Sequence, residues 1–128
     1  MTSYVSLWLG VFPDFEAVDQ YMEVKYTEDG DSIPSDFEKD SRLGYYDRVT
    51  VEKDWMPDAG DEITKMLAGF SYDDQIISQF MGSKVTSRYN TMILVYGYNY
   101  YDESSVINSI DSKSYKIDYI GNAAYKHE

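Results

Sequence analysis

Near the beginning of the chain, residues 4–12 read YVSLWLGVF. This run is rich in β-branched and aromatic residues and is too short for a helix of its own. It therefore predicts a largely buried strand at the centre of a sheet, with the Trp8 ring in the core. Residues 91–100 read TMILVYGYNY and predict a second buried strand.

Two helices are predicted between these strands in the first third of the chain. Asp14 is placed to cap the first helix. Ser35 and Glu38 form an S-x-x-E capping box at the start of the second helix, which Gly44 is expected to end. Residues 27–34 read TEDGDSIP and predict a loop between the two helices.

The rest of the chain continues the alternation of strands and helices. The further predicted elements are a weak strand over residues 45–53, a helix over residues 63–70, a helix capped by Ser71 and Asp74 and ended by Gly82, a short helix capped by Asp102 that carries Ile110, and a terminal strand over residues 115–119. This order favours an α/β (α+β) fold in which helices pack on a small mixed sheet of three to four strands. A length of 128 residues predicts a single globular domain over residues 1–128.

The composition excludes several classes of function. A formal net charge of −12 repels phosphate backbones and anionic lipids, so neither direct nucleic-acid binding nor membrane binding is expected. The chain has no Cys and a single His, His127, which removes thiol nucleophiles, Cys-ligated zinc and His-based acid–base chemistry. No signal peptide is recognisable, and a cytoplasmic location is expected.

The acidic residues are concentrated in one part of the sequence. Residues 13–62 hold sixteen acids and five bases, a net charge of −11, whereas residues 63–128 have a net charge of −1. Such asymmetry is consistent with the choice of a basic partner or with solubility alone. The chain is also rich in Tyr, with 14 residues, and Tyr suits interfaces that are partly wet.

Familiar catalytic and ligand-binding motifs are missing from the sequence. Asp29, Gly30 and Asp31 suggest a calcium loop, but aligning Gly30 with the invariant glycine of an EF-hand puts Lys25 where a carboxylate ligand is needed. The sequence has no dinucleotide-binding glycine motif, no phosphate-binding loop and no nucleophile elbow. No cofactor or metal is therefore expected.

The N-terminal third of the chain resembles the immunity protein 22 family of bacterial polymorphic toxin systems. The resemblance covers about 45 residues, and the residues that carry it are Val5-Ser6-Leu7-Trp8-Leu9-Gly10, Tyr21, Tyr26, Asp29-Gly30-Asp31, Ser35, Phe37, Asp40 and Tyr46-Asp47. Beyond Asp47 the family pattern of a second acid gives way to Arg48-Val49. The resemblance implies a small cytoplasmic α/β protein that binds and blocks a cognate toxin domain.

These observations lead to one principal hypothesis and two alternatives. The principal hypothesis is a non-enzymatic immunity protein that neutralises a cognate toxin domain, most plausibly a basic nuclease, because opposite potentials accelerate association. The candidate partner-binding residues are Glu28, Asp29, Asp31, Asp36, Asp40, Tyr45, Tyr46 and Asp47. The alternatives are a carboxylate-dependent hydrolase acting on a neutral sugar and an acidic interaction module that dimerises through a Tyr-rich sheet edge.

Overall fold

A computed structural model describes residues 2–43, 46–81, 85, 87–100 and 107–126. The elements in chain order are β1 (Thr2–Val11), α1 (Phe15–Met22), β2 (Lys25–Tyr26), β3 (Ser32–Ile33), α2 (Asp36–Ser41), β4 (Val51–Gly60), α3 (Ile63–Leu67), α4 (Asp73–Phe80), β5 (Tyr89–Tyr96), β6 (Ser109–Asp111) and β7 (Lys116–Lys126), with a 3₁₀ turn at Arg48–Thr50 before β4.

The main sheet has five strands in the order β4-β5-β1-β7-β6, and each pair of neighbours is antiparallel. The α+β class is confirmed, but the sheet is larger than the predicted three to four strands. β2 and β3 form a separate two-stranded hairpin. β1 lies in the middle of the main sheet, as residues 4–12 predict.

Helices cover both faces of the main sheet. Alternate side chains of β1 point to opposite faces, so Leu7 packs with α3 and α4 while Trp8 packs with α1 and α2. Trp8 has no exposed surface, and its ring contacts Phe37 of α2 edge-on at 5.0 Å between centroids. The predicted burial of Trp8 is confirmed. Gly10 permits the close approach of β7, because a Cβ there would lie 2.5 Å from the Lys116 carbonyl oxygen.

Local capping signals identified the first two helices correctly. The Asp14 carboxylate accepts a hydrogen bond from the Ala17 amide at 2.8 Å and caps α1. Ser35 and Glu38 form the complete capping box of α2. α2 ends at Ser41, and Gly44 lies outside the described residues.

Several sequence predictions from residue 45 onward are wrong. Ser71 does not cap α4, because its hydroxyl donates to the Glu52 carboxylate instead. The residue that precedes the helix is Tyr72, in a left-handed conformation and with no side-chain capping hydrogen bond. The strand predicted over residues 45–53 begins only at Val51, after the 3₁₀ turn. Ile110, predicted in a helix, lies in β6. Residues 101–106 and Gly82 lie outside the described part of the chain.

Candidate functional site

The β2–β3 hairpin presents three of the predicted site residues at its turn. The Thr27 amide donates to the Asp31 carbonyl at 2.9 Å, and the Gly30 amide donates to the Thr27 carbonyl at 3.0 Å. The Thr27 hydroxyl accepts from the Asp31 amide at 3.1 Å, and Gly30 has φ = +88°, which favours glycine. The hydrogen bonds therefore hold the turn in one shape while Glu28, Asp29 and Asp31 are exposed.

Asp36 is the first residue of α2 and is also exposed. The capping box occupies Ser35 and Glu38, so the Asp36 side chain is not needed to cap the helix. Within the described residues, Glu28, Asp29, Asp31 and Asp36 make no side-chain hydrogen bond or salt bridge. We call these four residues the acidic hairpin surface.

Asp40 holds three parts of the fold together. Its Oδ2 atom accepts hydrogen bonds from the Tyr21 hydroxyl of α1 at 2.9 Å and from the Tyr115 hydroxyl, just before β7, at 2.7 Å. Burial, together with the Asp40 charge, raises the pKa of Tyr21 well above its ordinary value. Burial and the Asp40 hydrogen bond raise the pKa of Tyr115 to about 12. Asp40 is thus committed to internal contacts.

Tyr46 and Asp47 follow α2 and also make contacts within the fold. Asp47 caps the 3₁₀ turn by accepting from the Val49 amide at 2.9 Å, although its side chain is exposed. Tyr46 is half-buried, contacts the Tyr98 ring edge-on at 6.2 Å, and has a pKa raised by burial and by Glu38. Tyr45 lies outside the described residues.

The pKa of Glu38 is shifted in the direction expected for a carboxylate that stabilises the fold. Burial alone would raise its pKa, but the hydrogen bond from the Ser35 amide and the contact with Arg48 outweigh burial, and the net pKa is lowered. Arg48 contributes a salt bridge to Glu38 at 3.1 Å. A general acid in a sugar hydrolase needs the opposite shift.

Two exposed features near the acidic hairpin surface were not identified from the sequence. The Tyr26 side chain of β2 is 65% exposed, which is unusual for a large ring. Glu23 follows the last residue of α1 as its C-cap, where the helix dipole disfavours negative charge, and the last turn contains no basic residue. The Asp29-Gly30 dipeptide is a hairpin signal that would have revealed both the strand pair and the position of Tyr26.

The described residues contain no group of three or more His, Asp or Glu side chains that could hold a metal ion. Among the helices that the structure describes, none is long and apolar enough to cross a membrane. The Tyr-rich run that ends β5 is in the interior, because Tyr96, Tyr98 and Tyr100 are buried. These three rings therefore belong to the packed interior of the described chain.

The fold and its surface define an α+β protein with an exposed, acidic turn. The family model for Immunity protein 22 matches residues 5–126, and the chain belongs to that family. The match covers nearly the whole chain and extends well beyond the N-terminal resemblance. Neither the curated proteins nor the solved structures gave a match. Family membership supports a general role in immunity, in which the chain neutralises a cognate toxin of a polymorphic toxin system, and implies a non-enzymatic inhibitor.

Proposed function

We propose that the chain neutralises a cognate toxin domain with a basic surface, a nuclease, by binding it through the acidic hairpin surface. The observation that carries this proposal is that Glu28, Asp29, Asp31 and Asp36 are exposed and have no partner among the described side chains. A nuclease must bind phosphate backbones and so carries a basic cleft. The acidic hairpin surface has the complementary charge.

The distribution of charge supports a role in association rather than in folding. Residues 13–62 have a net charge of −11, and this segment contains α1, the hairpin, α2 and β4. Concentrated charge of one sign destabilises a compact state by self-repulsion, but it accelerates encounter with a partner of opposite sign. Glu23, the C-cap of α1, is also unfavourable for its own helix, because the negative end of the helix dipole lies there.

The hairpin also supports tight binding once the partners have met. Its hydrogen-bonded turn is already ordered, so little conformational entropy is lost on binding. Tyr26 offers a large aromatic side chain beside the acids, and aromatic residues are frequent anchors in interfaces. Tyr46 and Asp47 border α2 and are proposed to contribute at the rim. Asp40 acts indirectly, by fixing α2 against α1.

The test is the rate of association with the cognate toxin domain. Asp29, Asp31 and Asp36 are changed together to Asn, and binding is followed by stopped-flow fluorescence at several salt concentrations. We expect association to slow by about tenfold or more at low ionic strength and by less at high ionic strength, because screening already weakens the attraction there.

A matched control changes three other exposed acids, Asp61, Asp74 and Asp111, to Asn. This control alters the net charge by the same amount at other places on the surface. Equal slowing in the two triple variants would show that total charge matters and the acidic hairpin surface does not. A toxin domain without nuclease activity would refute the nuclease assignment. The association rates of the two triple variants would still decide whether the acidic hairpin surface binds the toxin.

A further inference from the structure

β4 has one edge without a neighbouring strand. It stands at the end of the strand order, and no described strand pairs with the edge opposite β5. An exposed edge carries backbone groups that can form hydrogen bonds with an added strand, and folded proteins normally block such edges. The accessible length is short, since the pairing with β5 is regular only from Val51 to Trp55 and is interrupted before Gly60.

Two contacts show which backbone groups of β4 point outward. The Trp55 amide donates to the Asp54 carboxylate at 2.8 Å, so this amide does not point towards β5. The Tyr96 carbonyl of β5 accepts from the Thr50 hydroxyl at 2.9 Å, so the backbone groups of the even-numbered β5 residues face β4. In the register of the two strands these residues lie opposite the even-numbered residues of β4, whose backbone groups therefore face β5. Because backbone groups alternate along a strand, the N–H and C=O groups of Val51 and Lys53 point outward.

A groove runs along this edge. Its volume is about 490 Å³, its floor is residues 51–54, and its walls are Phe15 of α1 and the loop after α3. Phe15 is 42% exposed and supplies an apolar side to the groove. A groove with a strand edge as its floor and side chains along both walls has the shape needed by an extended peptide segment.

The charge of the groove selects the kind of segment that fits. Glu52 and Asp54 line the groove, and Glu52 keeps its negative charge although it accepts from the Ser71 amide and hydroxyl. Among the residues that line the groove the base is Lys53, which is paired with Asp19 of α1 at 3.3 Å. The groove therefore has a net negative charge. An added strand with Lys or Arg at alternate positions would place its bases beside these carboxylates.

We propose that an extended, basic segment of the toxin domain adds to the main sheet along Val51 and Lys53 as a sixth strand. This inference rests on the proposed function, because it assigns the occupant of the groove to the same toxin. The backbone hydrogen bonds contribute affinity, and Phe15 with the two carboxylates selects the side chains of the segment. The docking site ends at Trp55, because the Trp55 amide already donates to the Asp54 carboxylate.

The direct test is amide hydrogen exchange, measured by NMR on the free chain and on its complex with the toxin domain. The Lys53 amide points outward, whereas the adjacent Asp54 amide faces β5 and serves as an internal control. We expect exchange at Lys53 to slow by about tenfold or more in the complex, while Asp54 is protected in both states.

Each other outcome has a distinct meaning. A complex that forms without protection of Lys53 overturns the inference and leaves the proposed function intact. The absence of any complex refutes both. Protection of Lys53 in the chain alone, increasing with its concentration, would overturn the inference in favour of pairing between two copies of β4.

A pair of variants gives a second test. Lys53→Pro removes the outward N–H group, and proline is tolerated on an edge strand where that group faces solvent. Lys53→Ala removes the same ion pair with Asp19 but keeps the N–H group. We expect the Pro variant to dissociate from the toxin about tenfold faster than the Ala variant, once circular dichroism shows that both are folded. Equal dissociation rates would contradict strand addition, and if the Pro variant does not fold, the exchange measurement decides alone.

Discussion

Replacement of Asp40 should destabilise the fold, and the effect should depend on which atoms replace the carboxylate. Both the Tyr21 and the Tyr115 hydroxyls donate to the same oxygen, Oδ2. In Asp40→Asn, one amide oxygen can accept both bonds, so only the charge is lost. A hydrogen bond to a charged group contributes about 1.5–3 kcal/mol and a neutral one about 0.5–1.5 kcal/mol, so over the two bonds the expected loss for Asp40→Asn is about 2–3 kcal/mol.

Asp40→Ala should have a larger effect. It removes both hydrogen bonds and leaves the Tyr21 hydroxyl, on a residue that is only 3% exposed, without its acceptor. The expected loss in the free energy of unfolding is about 3–5 kcal/mol. Urea unfolding followed by circular dichroism measures both variants, with a shift in midpoint at constant slope as the expected result. The reasoning would be refuted if Asp40→Ala were within about 0.5 kcal/mol of the unsubstituted chain, or no less stable than Asp40→Asn.

Two further predictions concern the core and its tyrosines. Trp8→Ala should lower the free energy of unfolding by about 3–5 kcal/mol, because a fully buried ring is replaced by a cavity; a loss below about 1 kcal/mol in urea titration would contradict its core role. Burial raises the pKa of both Tyr89 and Tyr115 to about 12, whereas a tyrosine in an unfolded chain titrates near about 10. Above a pH of about 10 the unfolded chain therefore loses protons that the folded chain retains. The urea midpoint should fall as the pH rises from about 10 to 12, and an unchanged midpoint would contradict the raised pKa values of the two tyrosines.

Local signals in the sequence predicted the parts of the fold that depend on neighbouring residues. The apolar run around Trp8 and the capping box of Ser35 and Glu38 need only a few adjacent positions to be recognised. Ser71 had an equally good local signal for capping α4, but its hydroxyl donates to Glu52 of β4, 19 residues away in the sequence. Competition from a distant acceptor cannot be seen in a short window of sequence.

In the candidate site too, the sequence predicts what depends on neighbouring residues and misses what depends on distant ones. Asp29 and Asp31 are exposed because they lie in a glycine turn, which the sequence indicates. Asp40 looks equally available in the sequence, but its partners Tyr21 and Tyr115 are 19 and 75 residues away. Residue type and charge therefore indicated where the acids are concentrated in the chain. They could not separate acids that stabilise the fold from acids that remain exposed to solvent.

The separation of the β2–β3 hairpin from the main sheet has an evolutionary consequence. Glu28, Asp29 and Asp31 are exposed and are not among the side chains that pack around Trp8 and Leu7, so their replacement should leave core packing unchanged. A lineage can therefore explore new turn sequences at little risk of losing a folded protein, provided that Gly30 keeps its left-handed conformation. Substitutions in this turn can therefore accumulate without disturbing the packing of the five-stranded sheet.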